Sequence, residues 1–563
     1  MSNGRDWLLA PSAAPSRKNC LAFDLEAICR EGDELAFALF WFLMRAANFV
    51  PDGWGRTRVG LLLKSDERRR AQIEKDLRAI LAGNGEVSGL LEEMGQALHR
   101  AWPDLAKREI LESALRFLFR LTFQAHFEDA HFNGGPALDP NANEAQIKEA
   151  MGEEDLKGDR AEGTNYQGEP PGWPGRRPTI RSLLSGLKPM AQSYVGWARL
   201  KALLAPPRDA QEESFYPLLS SALFDPQKTP SLDSPNLLND EGLYAILNRL
   251  LRAKDGQKRD FAALSPFRLG AVYESLMEFE FRLAPRPMAL AESRGPKRRS
   301  LGYYGLEEIE SLKRNYIDRE LVVLRELKPG ELYLASLRNN RKAGGVYYTP
   351  DGLARPLATR GLARLAAGPF AKRSLLEAKL LDCACGTGNL LAESLDGLVW
   401  LARLKLKEDK RLAEALAFEA KALAKSRKER GYAGAEPVDE LLALKRLFLR
   451  TAAHGVDRSA LAVDLARAAL TLDARVPGAA VPFVEPRLAQ GDSLLGSGLA
   501  DLEELCQTLG HVGWADHIRG QTNSLERAFL EARREGLFEE GEWKEAYNKI
   551  IRPTVQYLNF YFN

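Results

Sequence analysis

The stretch LDCACGTGNLLAES, residues 381–394, combines residue types that can hold a ligand. A short apolar run ends in Asp382 and is followed by small residues, Gly386, Gly388 and a helix-like tail. Glycines let the backbone pass close to a ligand where a Cβ would clash. A helix starting near Asn389 points its unpaired N–H groups back at the loop. The Asp382 carboxylate can bind an ammonium or amide there. Alone the pattern is ambiguous, because G-x-G loops after strands also occur in dinucleotide enzymes and in plain tight turns. Two later acids narrow it. Asp457 closes a second predicted strand, where a carboxylate accepts ribose hydroxyls; it also suits an N-cap for RSALAVDLARAAL, and the two roles are compatible. Asp492 closes a third predicted strand and suits either an adenine amino group or a turn. Together the three acids describe a pocket for an adenosine with a charged tail, S-adenosyl-methionine as readily as NAD. The third glycine of G-x-G-x-x-G is missing, which disfavours a pyrophosphate.

Elements must bring these residues together. From about residue 340 the pattern is α/β, with predicted strands in AKLLDCACGTG, AAHGVDRSALAVDLARAALTL (452–472) and EPRLAQGDSLLG (485–496). Each strand ends in an acid or glycine turn, which predicts a doubly wound parallel sheet with its ligand at the strand C-termini. Residues 401–431, rich in Lys, Glu, Ala and Leu, predict inserted helices. Upstream, residues 1–130 read as helical. SDERRRAQIEKDLRAILA (65–82) opens with a cap-like Ser and places Ile73, Leu77, Ile80 and Leu81 on one face. LAFALFWFLM (35–44) and LESALRFLFRLTFQAHFEDA (111–130) predict buried helices, RSLLSGLKPMAQSYVGWARLKALL (181–204) a return to helix, and RLGAVYESLMEFEFRL (268–283) another. The Gly-, Pro- and acid-rich run 133–179 predicts a long surface loop, and the basic ESRGPKRRSLGYYG (292–305) an exposed one. The expected division is a helical domain over 1–132, a loop over 133–180, a helical brace over 181–335 and a ligand-binding α/β domain over 336–563, with a helical insertion at about 395–450.

At 563 residues the chain is long enough for two to four domains. Its 79 basic and 77 acidic residues leave a net charge of +2, so any basic surface must be local. The 5 cysteines form neither a disulfide framework nor a C-x-x-C zinc pair, which fits a reducing cytoplasm. No metal site is expected: Cys383 and Cys385 have no third or fourth ligand nearby. The longest apolar run, 35–44, is too short to span a bilayer, and the N-terminus carries no signal-peptide core.

Four segments, GGVYYTP (344–350), LDCACGTGNLL, HGVDRSALAVDLARAALTL and QGDSLLG, resemble in order and character the class I adenine-N6 DNA methyltransferases. The likeness is to the large single-chain kind of type IIG restriction–modification enzymes and of the BREX and DISARM phage-defence systems. ALRFLFRLTFQAHFEDA, LGAVYESLMEFE and LLALKRLFLRTAAHGVD extend it upstream, to about residue 60. The resemblance implies a Rossmann-like methyltransferase domain, incomplete in this chain, that binds S-adenosyl-methionine and acts on double-stranded DNA. It implies that Tyr347, Tyr348 and Thr349 pack on the methionine part of the cofactor. Asp382, Cys383, Ala384, Cys385, Gly386 and Gly388 would hold its amino-acid end. Asp457 and Arg458 would meet the ribose and adenine, and Asp492 and Ser493 the adenine. Cys383 stands where proline is usual, and Arg458–Ser459 where Asn–Pro is common; backbone groups do most of the loop's work, so neither removes a required donor or acceptor.

Such enzymes continue to an (Asn/Asp)-Pro-Pro-(Tyr/Phe) motif that accepts hydrogen bonds from the target amine and stacks on the flipped base. It does not occur in these 563 residues; EPPGW (169–173) and LAPPR (204–208) lack the Asn. No catalytic residue is therefore assigned. The expectation is a split enzyme in which a second polypeptide brings the catalytic motif and target recognition, with the apolar VQYLNFYF either facing that partner or docked on its own domain. The alternatives are a non-catalytic cofactor- or DNA-binding regulator of a defence complex, and a nicotinamide-dependent oxidoreductase. No nuclease is expected, because the acids and lysines of 1–130 lie on helical patterns. His126 and His131 are expected at a surface helix end. The basic loop at 292–300 and RNNRK (338–342) are candidates for phosphate contact or simple solvated charge.

Overall fold

A computed structural model describes residues 6–9, 21–32, 34–44, 49–50, 58–83, 87–131, 178–253, 255–294, 299–315, 320–336, 349–367, 373–432 and 437–493. The fold is mixed α/β and mainly helical, with small sheets. Strands β1 (Asp6–Leu9) and β2 (Leu21–Asp24) pair antiparallel, in a region whose sequence reads as helical. Helices α1 (Leu25–Glu31) and α2 (Glu34–Met44) follow. The apolar α2 is buried on one face only: Phe40 and Leu43 are covered, but Trp41 is 63% exposed, contrary to a fully buried helix.

Helix α3 (Arg58–Ala82) starts before the expected cap at Ser65. Its Leu77 and Leu81 are fully buried, and Ile73 and Ile80 pack beside them, as the 3.6-residue spacing requires. Helices α4 (Leu90–Ala101) and α5 (Lys107–His131) come next, and α5 is buried along most of its length. The stretch 181–204 is two helices, α6 (Ile180–Gly186) and α7 (Val195–Leu203), with Pro189 between them. After α8 (Ala210–Phe215), α9 (Asp240–Leu251) and α10 (Pro266–Leu276) the chain turns to strands.

That turn corrects two readings. The predicted helix 268–283 ends at Leu276, and Phe279–Leu283 is strand β3, paired antiparallel with β7 (Leu332–Ser336). Within the basic segment 292–305, the described residues 292–294 and 299–305 are strand, not loop. They contribute to β4 (Met288–Arg294) and β5 (Arg299–Gly305), which pair antiparallel, with β6 (Glu320–Leu327) on the other side of β4. Helix α11 (Leu306–Asn315) lies between β5 and β6 in the chain. The aromatic Tyr303 and Tyr304 suit strand better than loop.

The C-terminal part holds α12 (Asp351–Ala367), β8 (Leu380–Asp382), α13 (Asn389–Lys405), α14 (Lys410–Glu429), α15 (Glu440–Thr451), β9 (Ala453–Asp457), α16 (Ala460–Asp473) and β10 (Leu488–Gln490). β8, β9 and β10 form one parallel sheet in the order β10-β9-β8. Parallel neighbours need long crossovers, which the intervening helices supply. Gly455 in the central strand is required: a Cβ there would stand 2.7 Å from Leu488 Cδ2 and 3.0 Å from Cys385 Sγ.

One continuous core runs from Leu77 of α3 to Leu488 of β10, so the upstream helices and the parallel sheet are packed as one body. Buried charges join them. Asp464 of α16, its side chain 2% exposed, receives Arg116 Nη1 of α5 at 2.8 Å and Lys228 Nζ at 2.7 Å. Lys445 of α15 is held between Asp396 of α13 and Asp473 of α16. Such ions are tolerated in a core only when paired. Residues 132–177, 337–348 and 494–563 lie outside the described residues. With them lie the expectations for the 133–179 loop, RNNRK, the VQYLNFYF end and the side chain of Tyr347 and Tyr348.

Candidate cofactor-binding site

The three parallel strands end side by side, and the loop after β8 crosses in front of the other two. Cys385 N–H donates to Val456 O at 2.9 Å, carrying the β8–β9 pairing into the loop. Gly388 N–H then donates back to Cys385 O at 2.8 Å, closing the turn. Gly386 (φ +52°) and Gly388 (φ +87°) have left-handed backbone, which a side chain would strain. Gly388 is also the N-cap of α13, so the loop delivers the chain directly into the helix whose N-terminus faces it.

Asp457 ties the loop to β9. Its carboxylate accepts Gly386 N–H at 2.9 Å and Ser459 N–H at 2.8 Å. The N-cap of α16 is Ser459, whose hydroxyl accepts from Ala462 N–H, rather than Asp457. Asp382 accepts Ala384 N–H at 3.1 Å. On the far side, Ser493 donates to Cys383 O at 2.8 Å, and Asp492 faces Arg458 Nε at 3.4 Å. Asp382, Cys383, Ala384, Cys385, Gly386, Gly388, Asp457, Arg458, Asp492 and Ser493 thus converge on one end of the sheet. Thr349 reaches it from upstream, its carbonyl accepting Asn389 Nδ2–H at 2.8 Å. Tyr347 and Tyr348 lie outside the described residues.

Carboxylates face the loop from two strand ends, with Arg458 paired to Asp492 at the rim. Burial pushes the Asp382 carboxyl up; its bond from Ala384 opposes this and the nearby Asp457 charge adds to it. Burial, then Asp457 and Asp382, push the Cys385 thiol up to about 12, so that sulfur is inert at neutral pH. Among the described residues no group of His, Cys, Asp and Glu is placed to hold a metal ion.

Sequence reasoning gave α10 no part in this site, yet α10 is seated on the glycine loop. A Cβ on Gly270 would stand 1.9 Å from Thr387 Oγ1 and 2.4 Å from Thr387 Cβ. Phe267 Cε1 lies 3.5 Å, and Glu274 Oε1 3.1 Å, from the Cβ positions of Gly388 and Gly386. Tyr273 Oη is 2.8 Å from the Ser459 hydroxyl, at the cap of α16. Phe267, Gly270, Tyr273 and Glu274 recur every three or four residues, the spacing of one helix face. The signal was the helical period of LGAVYESL, but nothing in it says which partner the face meets.

His126 is also placed otherwise than expected. It is buried, its Nδ1 is 3.0 Å from Phe261 O, and burial lowers its pKa.

No family model matches the chain, and no curated protein or solved structure gives a significant match. Among the described residues no helix is long and apolar enough to cross a membrane.

Proposed function

We propose that this chain is the cofactor-binding component of a split DNA adenine-N6 methyltransferase, working in the cytoplasm of a prokaryotic restriction–modification or phage-defence system. One observation carries the reading. The glycine loop that opens α13 is bracketed by the acid-tipped ends of adjacent parallel strands, and three carboxylates, Asp382, Asp457 and Glu274, stand against it, with the Arg467 charge acting on Cys385 from farther along α16. Burial raises the Asp382 carboxyl first and the neighbouring Asp457 charge adds to it; a cationic ligand relieves both, and a pyrophosphate would be repelled. S-adenosyl-methionine carries an ammonium and a sulfonium, and when bound it supplies an electrophilic methyl group. Further support comes from the third-second-first strand order, which suits the Rossmann-like, doubly wound class I domain.

In this reading the turn from Asp382 to Gly388 is held in place by its own hydrogen bonds and presents the Asp382 carboxylate to the ammonium of the amino-acid end. Asp457 keeps the loop in register and presents its remaining lone pairs to the ribose. Arg458, Asp492 and Ser493 flank the adenine, and Tyr347, Tyr348 and Thr349 the methionine stem. The group that accepts the amine protons of a flipped adenine in double-stranded DNA comes from a second polypeptide, which also reads the target.

Calorimetric titration of the chain with S-adenosyl-methionine and with NAD tests the cofactor assignment; saturable binding of the first and none of the second is expected. Methyl transfer from labelled S-adenosyl-methionine to duplex DNA is then measured with this chain alone and with the polypeptide encoded beside it. Label only with both chains supports the split enzyme. Label with this chain alone refutes the need for a partner. Binding without label in either case favours a regulatory module, and NAD binding overturns the proposal.

A further inference from the structure

Away from the parallel sheet, α5, α7 and the segment 224–233 line a cavity of about 410 Å³ that is open to solvent on one side. That is within the roughly 300–1,000 Å³ range of small-molecule sites. Its walls are mainly apolar: Phe117 and Trp197, ring centroids 5.5 Å apart, and Phe224, with Leu200, Pro226 and Leu232 around them. Lys201, Thr229 and Asp233 also line it, and the buried cation among the lining residues is Arg120, 8% exposed.

Arg120 differs from its neighbour one turn earlier. Arg116 is ion-paired to Asp464 and Glu112. Arg120 donates only to neutral acceptors: Nε to Leu223 O at 2.7 Å, and Nη2 to Asp225 O at 2.9 Å and to Thr229 Oγ1 at 2.8 Å. Among the described residues no carboxylate oxygen lies within 4.0 Å of its guanidinium, and Nη1 makes none of these bonds. At the rim, Lys201 donates to the backbone carbonyl of Asp233, whose own carboxylate is exposed to solvent. Acids at longer range, Asp225, Asp233 and Asp464, only partly offset the cost of burying the Arg120 charge, and its pKa is pushed down to about 10.

A buried cation without a paired anion is costly, and an anionic ligand group removes that cost. Guanidinium binds planar oxyanions well, and aromatic walls take a flat apolar body. We propose that this cavity binds an aromatic monoanion, its ring among Phe117, Trp197 and Phe224 and its carboxylate or sulfonate on Arg120. The site does not depend on the methyltransferase reading.

The test uses the full chain with two fluorescent probes of similar shape, the anion 8-anilinonaphthalene-1-sulfonate and the neutral N-phenyl-1-naphthylamine. Saturable binding of the anion is expected. Arg120→Met should weaken it roughly tenfold, ~1.4 kcal/mol, and leave the neutral probe within about twofold. Ala202→Trp, an exposed rim position that lines the cavity, should remove saturable binding of both probes without altering the thermal melt. If Arg120→Met does not fold, the Ala202→Trp result decides. Undiminished anion binding in folded Arg120→Met, or in Ala202→Trp, overturns the proposal.

Discussion

Replacing Gly270 by alanine separates a glycine kept for packing from one kept by chance. In an open helix, Gly→Ala stabilises by about 1 kcal/mol. Gly270 lies mid-helix in α10, so propensity alone favours the change. The added methyl, however, would stand 1.9 Å from Oγ1, 2.4 Å from Cβ and 2.9 Å from Cγ2 of Thr387. Turning the threonine rotamer moves Oγ1 and Cγ2 but leaves Cβ in place. Ordinary carbon contact is about 3.5–4.0 Å, so α10 and the glycine loop must part by about 1 Å. Overpacking of this kind costs roughly 1–3 kcal/mol. The net expectation is a loss of about 0–2 kcal/mol, with the strain delivered to the Gly386–Gly388 turn. Gly361 of α12 is the control: nothing lies within 4 Å of its Cβ position, and alanine there should stabilise. Urea unfolding reports stability, and titration with S-adenosyl-methionine reports the loop. Gly270→Ala should unfold at lower urea than Gly361→Ala and bind the cofactor at least about tenfold more weakly. If both variants gain stability equally and bind alike, α10 does not set the loop.

Other outcomes follow from buried charges and thiols. Asp464→Leu removes the buried partner of Arg116 and Lys228 at the α5–α16 contact; Arg116 keeps the half-exposed Glu112, and the change should cost roughly 3 kcal/mol by denaturant unfolding. The Glu128 carboxyl is pushed up to about 8 by burial, which outweighs its bonds from Ile180 N–H and Gln124. Its folded pKa lies above the unfolded value of 4.5, so the native state binds the extra proton and stability falls as pH rises from about 4.5 to 8. Glu128→Gln should remove that component, and the difference between the two pH–stability curves should grow by at least ~1 kcal/mol between pH 5 and pH 8. Cys383 is exposed and Cys385 buried with a raised pKa. Iodoacetamide followed by peptide mapping should therefore label Cys383 in the native chain and Cys385 only after unfolding; equal labelling would contradict the loop geometry.

The parallel strands, their terminal acids and the start of α13 were legible because their signals are local. Apolar runs end in Asp382 and Asp457, and small residues then free the backbone to turn. Strand β3 was misread because YESLMEFEFRL continues an apolar pattern without a break, and periodicity cannot separate a short strand from helix there. The buried state of His126 was hidden for a related reason: its acidic neighbours suggest solvent, while its hydrogen bond goes to Phe261, 135 residues away.

By itself the sequence determined the glycine loop, the order of acids along the chain and the amphipathic faces of α3, α10 and α16, since each depends on residues a few positions apart. Only the tertiary structure decided what those faces meet. It set α10 on the loop at Thr387, closed Ser493 onto Cys383, gave Asp464 its two distant cations and, among the described residues, gave Arg120 neutral acceptors. These contacts join residues that lie from about one hundred to several hundred positions apart, and their energies depend on burial and geometry that no local pattern encodes.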